Sequence, residues 1–107
     1  MPGTVNWTAT FVNQSDADQA AVAELYDEGG KVIMSRSIPC SPPILCPFPF
    51  NDVEFGTYTA AIAHGGDRYY YDQGQSIISV PNQVQNATPI ELSKSVPVAA
   101  VQINVQI

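Results

Sequence analysis

The chain has 107 residues, 13% of them charged and 45% apolar, and ten acidic against four basic side chains give a formal charge of −6. That is one domain's worth of polypeptide, expected to fold as a single unit over residues 1–107, with enough apolar material to bury roughly two thirds of the surface exposed by the unfolded chain. An acidic surface cannot supply the counterion release that drives binding to nucleic acid or to anionic membranes, so neither is an expected partner.

Residues 1–4 lead straight into a strand pattern, without the basic segment and apolar run of a signal peptide. No apolar stretch approaches the roughly 20 residues of a transmembrane helix. Helix signals are nearly absent, and nine prolines with seven glycines cut the chain into short pieces. Period-two alternation replaces them. Val5, Trp7, Ala9 and Phe11 alternate with Thr4, Asn6, Thr8 and Thr10, which predicts a strand with one buried face and one wet face. A polar turn cluster, "NQSDADQ" over residues 13–19, follows, and "AAVAELYD" then places Ala21, Ala23 and Leu25 on one side and Val22, Glu24 and Tyr26 on the other. "DEGG" at residues 27–30 predicts a hairpin into "KVIMSRS", because glycine accepts the positive φ of tight turns.

Residues 38–49 contain Pro39, Pro42, Pro43, Pro47 and Pro49, so a central strand is forbidden there and a surface loop or a crossover between sheets is expected. Cys40 and Cys46 lie in this stretch. A disulfide between them would contribute about 2 to 3 kcal/mol on a loop-entropy argument, and two reduced thiols on a proline-stiffened loop are the alternative. Zinc is disfavoured, since His64 is the single histidine and leaves at most three soft ligands at irregular spacing. Residues 57–63 form the next strand, with Tyr58, Ala60 and Ile62 on one face. "HGGD" turns the chain into "RYYY", "DQGQ" turns it again, and "SIISV" at residues 76–80 is expected to be another short strand. After the polar link "PNQVQNA", residues 88–93 are expected to pair briefly. The terminal run sets Ala99, Val101, Ile103, Val105 and Ile107 opposite Gln102, Asn104 and Gln106.

Seven to nine short strands without a helix predict an all-β, Ig-like or prealbumin-like antiparallel sandwich. "AVAELYDEGGKVIMS" followed by "FNDVEFGTYTAAIA" resembles the transthyretin-like, or carboxypeptidase-regulatory-domain-like, β-sandwich group, which includes the collagen-adhesin B-type repeats. The resemblance covers about residues 21–63. Its matching positions are Leu25, Tyr26, Asp27, Gly30 and Val32, then Val53, Gly56, Thr57, Tyr58 and Thr59. Gly56 is read as allowing a sharp backbone entry where a Cβ would clash, and Tyr58 as dropping its ring into the core. Phe55 stands where the group usually has proline, and the Cys/Pro-rich insertion replaces a plain hairpin. Lys31 and Lys94 do not occupy the early-strand position that the isopeptide-forming adhesin domains use, so their crosslink is not carried over.

Candidate sites are few. His64 beside "GGD" lacks a nucleophile-elbow serine elsewhere in the chain, and adjacent acids such as Asp27/Glu28 and Asp52/Glu54 read as solvated turn residues, so no enzyme activity is expected. Asn13, Asp16 and Asp18 carry oxygen donors at a spacing that fits no defined calcium loop, and turn hydrogen bonds account for them equally; no metal and no cofactor are expected. Three sequons, at Asn6, Asn13 and Asn86, read as coincidences in a chain without a secretory signal. "DRYYYDQ" is the candidate binding feature. Successive strand residues face opposite ways, so at least one ring of Tyr69, Tyr70 and Tyr71 faces solvent beside Arg68, suited to stacking on sugars or packing on protein; an edge strand with a single exposed tyrosine is the plainer reading. The terminal strand carries no charge, and such an edge is either covered by its own fold or used to pair with another chain.

These features predict a non-catalytic structural or attachment module, an accessory or decoration subunit of a larger assembly such as a phage virion, with protein partners and homo-oligomerisation. A virion or extracellular surface is the expected location. The alternative is a secreted or surface carbohydrate- or protein-binding domain that uses Tyr69 to Tyr71 and the Cys40–Cys46 loop.

Overall fold

The computed structural model of the chain describes residues 2–12, 21–40 and 45–106. The calcium-type donors Asn13, Asp16 and Asp18 lie outside the described residues. Among those residues the polypeptide forms eight strands and one short 3-10 turn: β1 (Gly3–Val12), β2 (Ala21–Tyr26), β3 (Val32–Ser37), β4 (Cys46–Val53), β5 (Gly56–His64), β6 (Asp67–Tyr70), the turn at Val84–Asn86, β7 (Ile90–Leu92) and β8 (Val98–Gln106). One sheet has the order β4-β1-β8, and the other runs β3-β2-β5-β6 with β7 also paired to β5. This is an all-β sandwich. Every named pair is antiparallel except β1–β8, which is parallel from Thr4 opposite Val98 to Val12 opposite Gln106.

The alternation in the sequence becomes the two faces of each strand. Val5, Trp7, Ala9 and Phe11 turn inward from β1 with at most 3% exposure, and they join Ala23 and Leu25 of β2, Ala60 and Ile62 of β5 and Val101, Ile103 and Val105 of β8 in one apolar cluster. The hairpin at residues 27–30 is closed by Asp27, whose Oδ1 accepts from the backbone N–H groups of Gly29 and Lys31 at 2.9 Å each. Gly65 and Gly66 take φ of 58° and 84° between the paired His64 and Asp67. Positive φ at both central residues matches the right-handed twist of the flanking strands, which is why two glycines stand there.

Three expectations need correction. Cys46–Val53 is not a loop: it is β4, an edge strand that pairs with β1 alone, Pro47 opposite Thr8 and Pro49 opposite Asn6. Both prolines are exposed while Cys46, Phe48 and Phe50 are buried, so the missing N–H groups fall where no further strand is needed. Residues 76–80 make a single bridge in place of a strand, Ile78 to Val105, since Ile78 alone is buried there and Ile77 and Val80 stay 44% and 67% exposed. Pro81 then ends any continuation.

Gly56 is the third correction. It has no positive φ, and a Cβ placed on it would meet the Tyr58 hydroxyl and ring at 3.4 to 3.7 Å, an ordinary van der Waals approach. The Tyr58 ring is buried, and its hydroxyl donates to the Glu54 carbonyl, four residues back along the chain. Gly56 thus lies exposed beside this ring, and no positive φ requires a glycine there. Gly56→Ala is expected to change stability by less than about 1 kcal/mol, either sign, because no strained φ is involved. Thermal unfolding checks this, and a loss of several kcal/mol would restore a steric requirement for glycine.

Candidate functional site

The outer face of the β2-β5-β6 sheet carries the most developed polar arrangement. Glu24 and Tyr26 point outward from β2, yet they are only 9% and 8% exposed. Across β5, opposite Glu24 and opposite Tyr70 of β6, stands Ala61, a fully buried methyl between longer side chains. Its small size leaves a trough in the outer face. Arg68 and Tyr70 of β6 and Tyr26 and Glu24 of β2 fold into that trough from either side.

There the groups bond to one another. The Tyr26 hydroxyl donates to Glu24 Oε1, and Arg68 Nε donates to both Glu24 Oε1 at 3.0 Å and the Tyr26 oxygen at 2.8 Å. The Tyr26 and Tyr70 rings lie 6.0 Å apart at 45°, a tilted pair. Burial, then the bond to Glu24, holds the proton on Tyr26 and pushes its pKa up to about 12, with Arg68 pulling the other way. The tyrosine and the carboxylate in turn raise the Arg68 pKa above its ordinary value, the phenol being the larger influence. Only Nε of the guanidinium is engaged among the described residues, and the side chain is 44% exposed, so its outer N–H groups face solvent. The arrangement can offer guanidinium donors beside an aromatic ring to something outside the sheet.

The tyrosine run divides as strand geometry requires. Tyr69 is 5% exposed and belongs to the core, opposite Ile62, so it is withdrawn from the candidate contact surface. Tyr70 and Arg68 share the outer face. Tyr71 packs partly against the core and lines a cleft of about 270 Å³ with Asp72, Gln73, Gln75, Ser76, Gln102 and Asn104. The backbone of Tyr70 is closed off by Asn82, whose Oδ1 accepts from the Tyr70 N–H at 2.6 Å and whose Nδ2 donates to its carbonyl at 2.9 Å. One amide side chain thereby takes the place of a neighbouring strand on the β6 edge.

Cys40 and Cys46 are joined by a disulfide with Cα atoms 5.6 Å apart, fixing the entry to β4. Nearby, Arg36 of β3 lies over the Phe48 ring at 5.4 Å, bridging the edges of the two sheets. His64 is 6% exposed, and its Nε2 has no hydrogen-bond partner among the described residues. No three His, Cys, Asp or Glu side chains gather as a metal-binding group among the described residues.

The β8 edge is built differently from the β6 edge. Ile78 covers one end, its N–H donating to the Asn104 carbonyl at 2.8 Å and its carbonyl accepting from the Gln106 N–H at 2.9 Å. Even-numbered residues of β8 therefore turn their backbone groups away from β1, by the two-residue period of a strand. Val98, Ala100 and Gln102 belong to that set, and among the described residues no backbone group reaches them from outside the β1 pairing.

Glu24 and Tyr26 escaped the sequence reading because the alternation of β2 marks them as solvent-facing. The available signal was the lone acid in the apolar stretch "AVAELY", which asks for a cation nearby, and Arg68 is that cation.

No protein-family model and no curated protein sequence matches the chain. A similar solved structure is that of the major pilin subunit of Bacillus cereus, BcpA, at a TM-score of 0.53 and 12% identity, covering 100% of this chain and 29% of that one. The chain thus spans under a third of the pilin's length. The likeness is one of fold, and it supports the β-sandwich resemblance read from residues 21–63.

Proposed function

We propose that the chain is a non-catalytic structural or attachment module that joins a larger assembly through the open part of the β8 edge, as an accessory or decoration subunit such as a phage virion carries. The single observation that carries this reading is the contrast between the two edges. On β6 the outward backbone groups of Tyr70 are capped by Asn82 and the other outward position, Arg68, carries a charge, whereas Val98, Ala100 and Gln102 of β8 have backbone donors and acceptors with no partner among the described residues, on a strand without a charged side chain. Edge strands are ordinarily blunted by charge, proline or cover, and one that is left bare is a template for strand addition. The pilin likeness agrees with a structural role but warrants only the fold.

The outer-face network favours a second reading, a surface domain that binds a glycan or protein through Arg68 and Tyr70. Gradient sedimentation of the native source, followed with an antibody to the chain, separates the two. Under the first reading the chain travels with high-mass particles. Sedimentation at low mass, with retention on an immobilised glycan that is lost in Tyr70→Ala, would replace it with the second.

A further inference from the structure

We infer that the open segment of β8 takes a second copy of this chain, antiparallel, with the two-fold axis passing at Ala100. The inference rests on the assembly reading above and adds the partner and the register. The free window is bounded on both sides. Above it, Ile78 already occupies the carbonyl of Asn104 and the N–H of Gln106. Below it stands Pro97, which has no N–H, and whose carbonyl accepts from Thr4 at 2.9 Å on the β1 side.

Between these limits the outward positions are Val98, Ala100 and Gln102. In an antiparallel ladder, directly opposed residues of the hydrogen-bonded type exchange two N–H···O bonds. An axis at Ala100 opposes Ala100 to its own copy, Val98 to Gln102 of the second copy, and Gln102 to Val98 of the second copy. Every free donor in the window meets a free acceptor, and no position already used by Ile78 is called upon. A self-complementary patch of this kind is what a two-fold, closed interface requires. Shifting the axis toward the C-terminal end would oppose Val98 to Asn104, whose carbonyl is taken.

Charge at this edge permits the same occupant. The chain carries a net −6, so two copies repel over most of their surfaces. No charged side chain occurs between Lys94 and Gln106, and this edge brings no like charges into opposition. At the axis Ala100 is small, and Val98, 54% exposed in the single chain, gains cover from the opposing Gln102. The contact is confined to residues 98–102, well short of the roughly 20 to 30 residues a side of a stable interface, so the association is concentration-dependent.

The test uses the purified chain and three variants. Light scattering is expected to show the molar mass rising from one copy toward two with concentration. Ala100→Pro removes only an outward N–H and leaves the ladder to β1 intact, so it is expected to abolish the rise while keeping the wild-type circular dichroism. Should that variant misfold, two cysteine variants decide. Opposed Cα atoms at the axis lie about 5.5 Å apart, within disulfide range, so Ala100→Cys crosslinks on mild oxidation, mapped to residue 100. In this register Gln102 and its copy are offset by four residues, about 13 Å along the strand, so Gln102→Cys does not crosslink to itself. A chain monomeric at all concentrations, a dimer indifferent to Ala100→Pro, or crosslinking through residue 102 as readily as through residue 100 would overturn the inference. Particle sedimentation could still support the assembly reading in each of those cases, so the two fail separately.

Discussion

Trp7→Ala is expected to lower the stability of the sandwich by about 3 to 5 kcal/mol, the range for deleting a large buried aromatic side chain. Trp7 is 1% exposed, stacks on Phe48 with ring centroids 5.8 Å apart and a 9° interplanar angle, and meets Phe50 at 5.2 Å. Both phenylalanines belong to β4, the edge strand whose prolines limit its hydrogen bonding to one side. The indole therefore does more than fill volume: it packs on both inward rings of a strand that has β1 as its one neighbour in the sheet. Its Nε1 has no partner among the described residues, so Trp7→Phe should recover most of the loss. Urea unfolding followed by circular dichroism measures both. A cost for Trp7→Ala below about 1 kcal/mol would mean that β4 is held by something other than this aromatic stack. For a domain whose whole stability is about 5 to 15 kcal/mol, the expected loss is a large fraction.

Arg68→Ala is expected to cost about 1 to 2 kcal/mol, because it leaves the largely buried Glu24 carboxylate with Tyr26 as its remaining protein donor among the described residues. The figure stays low since Arg68 is 44% exposed and water already screens the pair. The same network gives an alkaline signature. Tyr26 titrates at about 12 in the folded chain against an ordinary 10.0, so folding holds its proton more tightly. Its contribution to stability is complete below pH 10 and disappears as the pH rises through 12. Tyr58 and Tyr69 are also raised by burial, so the Tyr26 share is read from the difference between wild type and Tyr26→Phe. In Arg68→Ala the Tyr26 midpoint moves further up, since the guanidinium is among the groups that favour the phenolate. Ultraviolet titration of the phenols decides it; a Tyr26 midpoint near 10 would mean that neither burial nor the bond to Glu24 holds the proton there.

The inward face of β1, the two hairpin turns and the apolar side of β8 were legible because strand period and turn chemistry are local properties. β4 was hidden for a physical reason: prolines exclude a residue from the middle of a sheet, and local sequence does not say whether a strand lies at the middle or the edge. Residues 76–80 failed in the opposite way. Their apolar side chains looked like a strand, but the turn at residues 72–75 and Pro81 leave room for Ile78 alone to dock on β8. In the tyrosine run Tyr69 turns inward while Tyr70 and Arg68 share the outer face, a division the sequence left open because alternation says that neighbouring rings diverge without saying which one turns inward. Glu24 could be located only with the register in hand, since its burial depends on Ala61 and Arg68, distant in sequence. The uncharged β8 was plain from composition, whereas the fact that Ile78 covers one end of its edge belongs to the tertiary structure.

The parallel pairing of β1 with β8 also decides how the molecule would bear a mechanical load. The two strands begin at the same end of the sandwich, so Gly3 and Gln106 lie at opposite ends of one ladder. Tension applied between them pulls along the strand axes, and the rungs from Thr4 to Val12 are sheared together instead of being unzipped singly. Resistance to forced opening is set by a barrier, and a ladder loaded in shear raises that barrier without any change in resting stability.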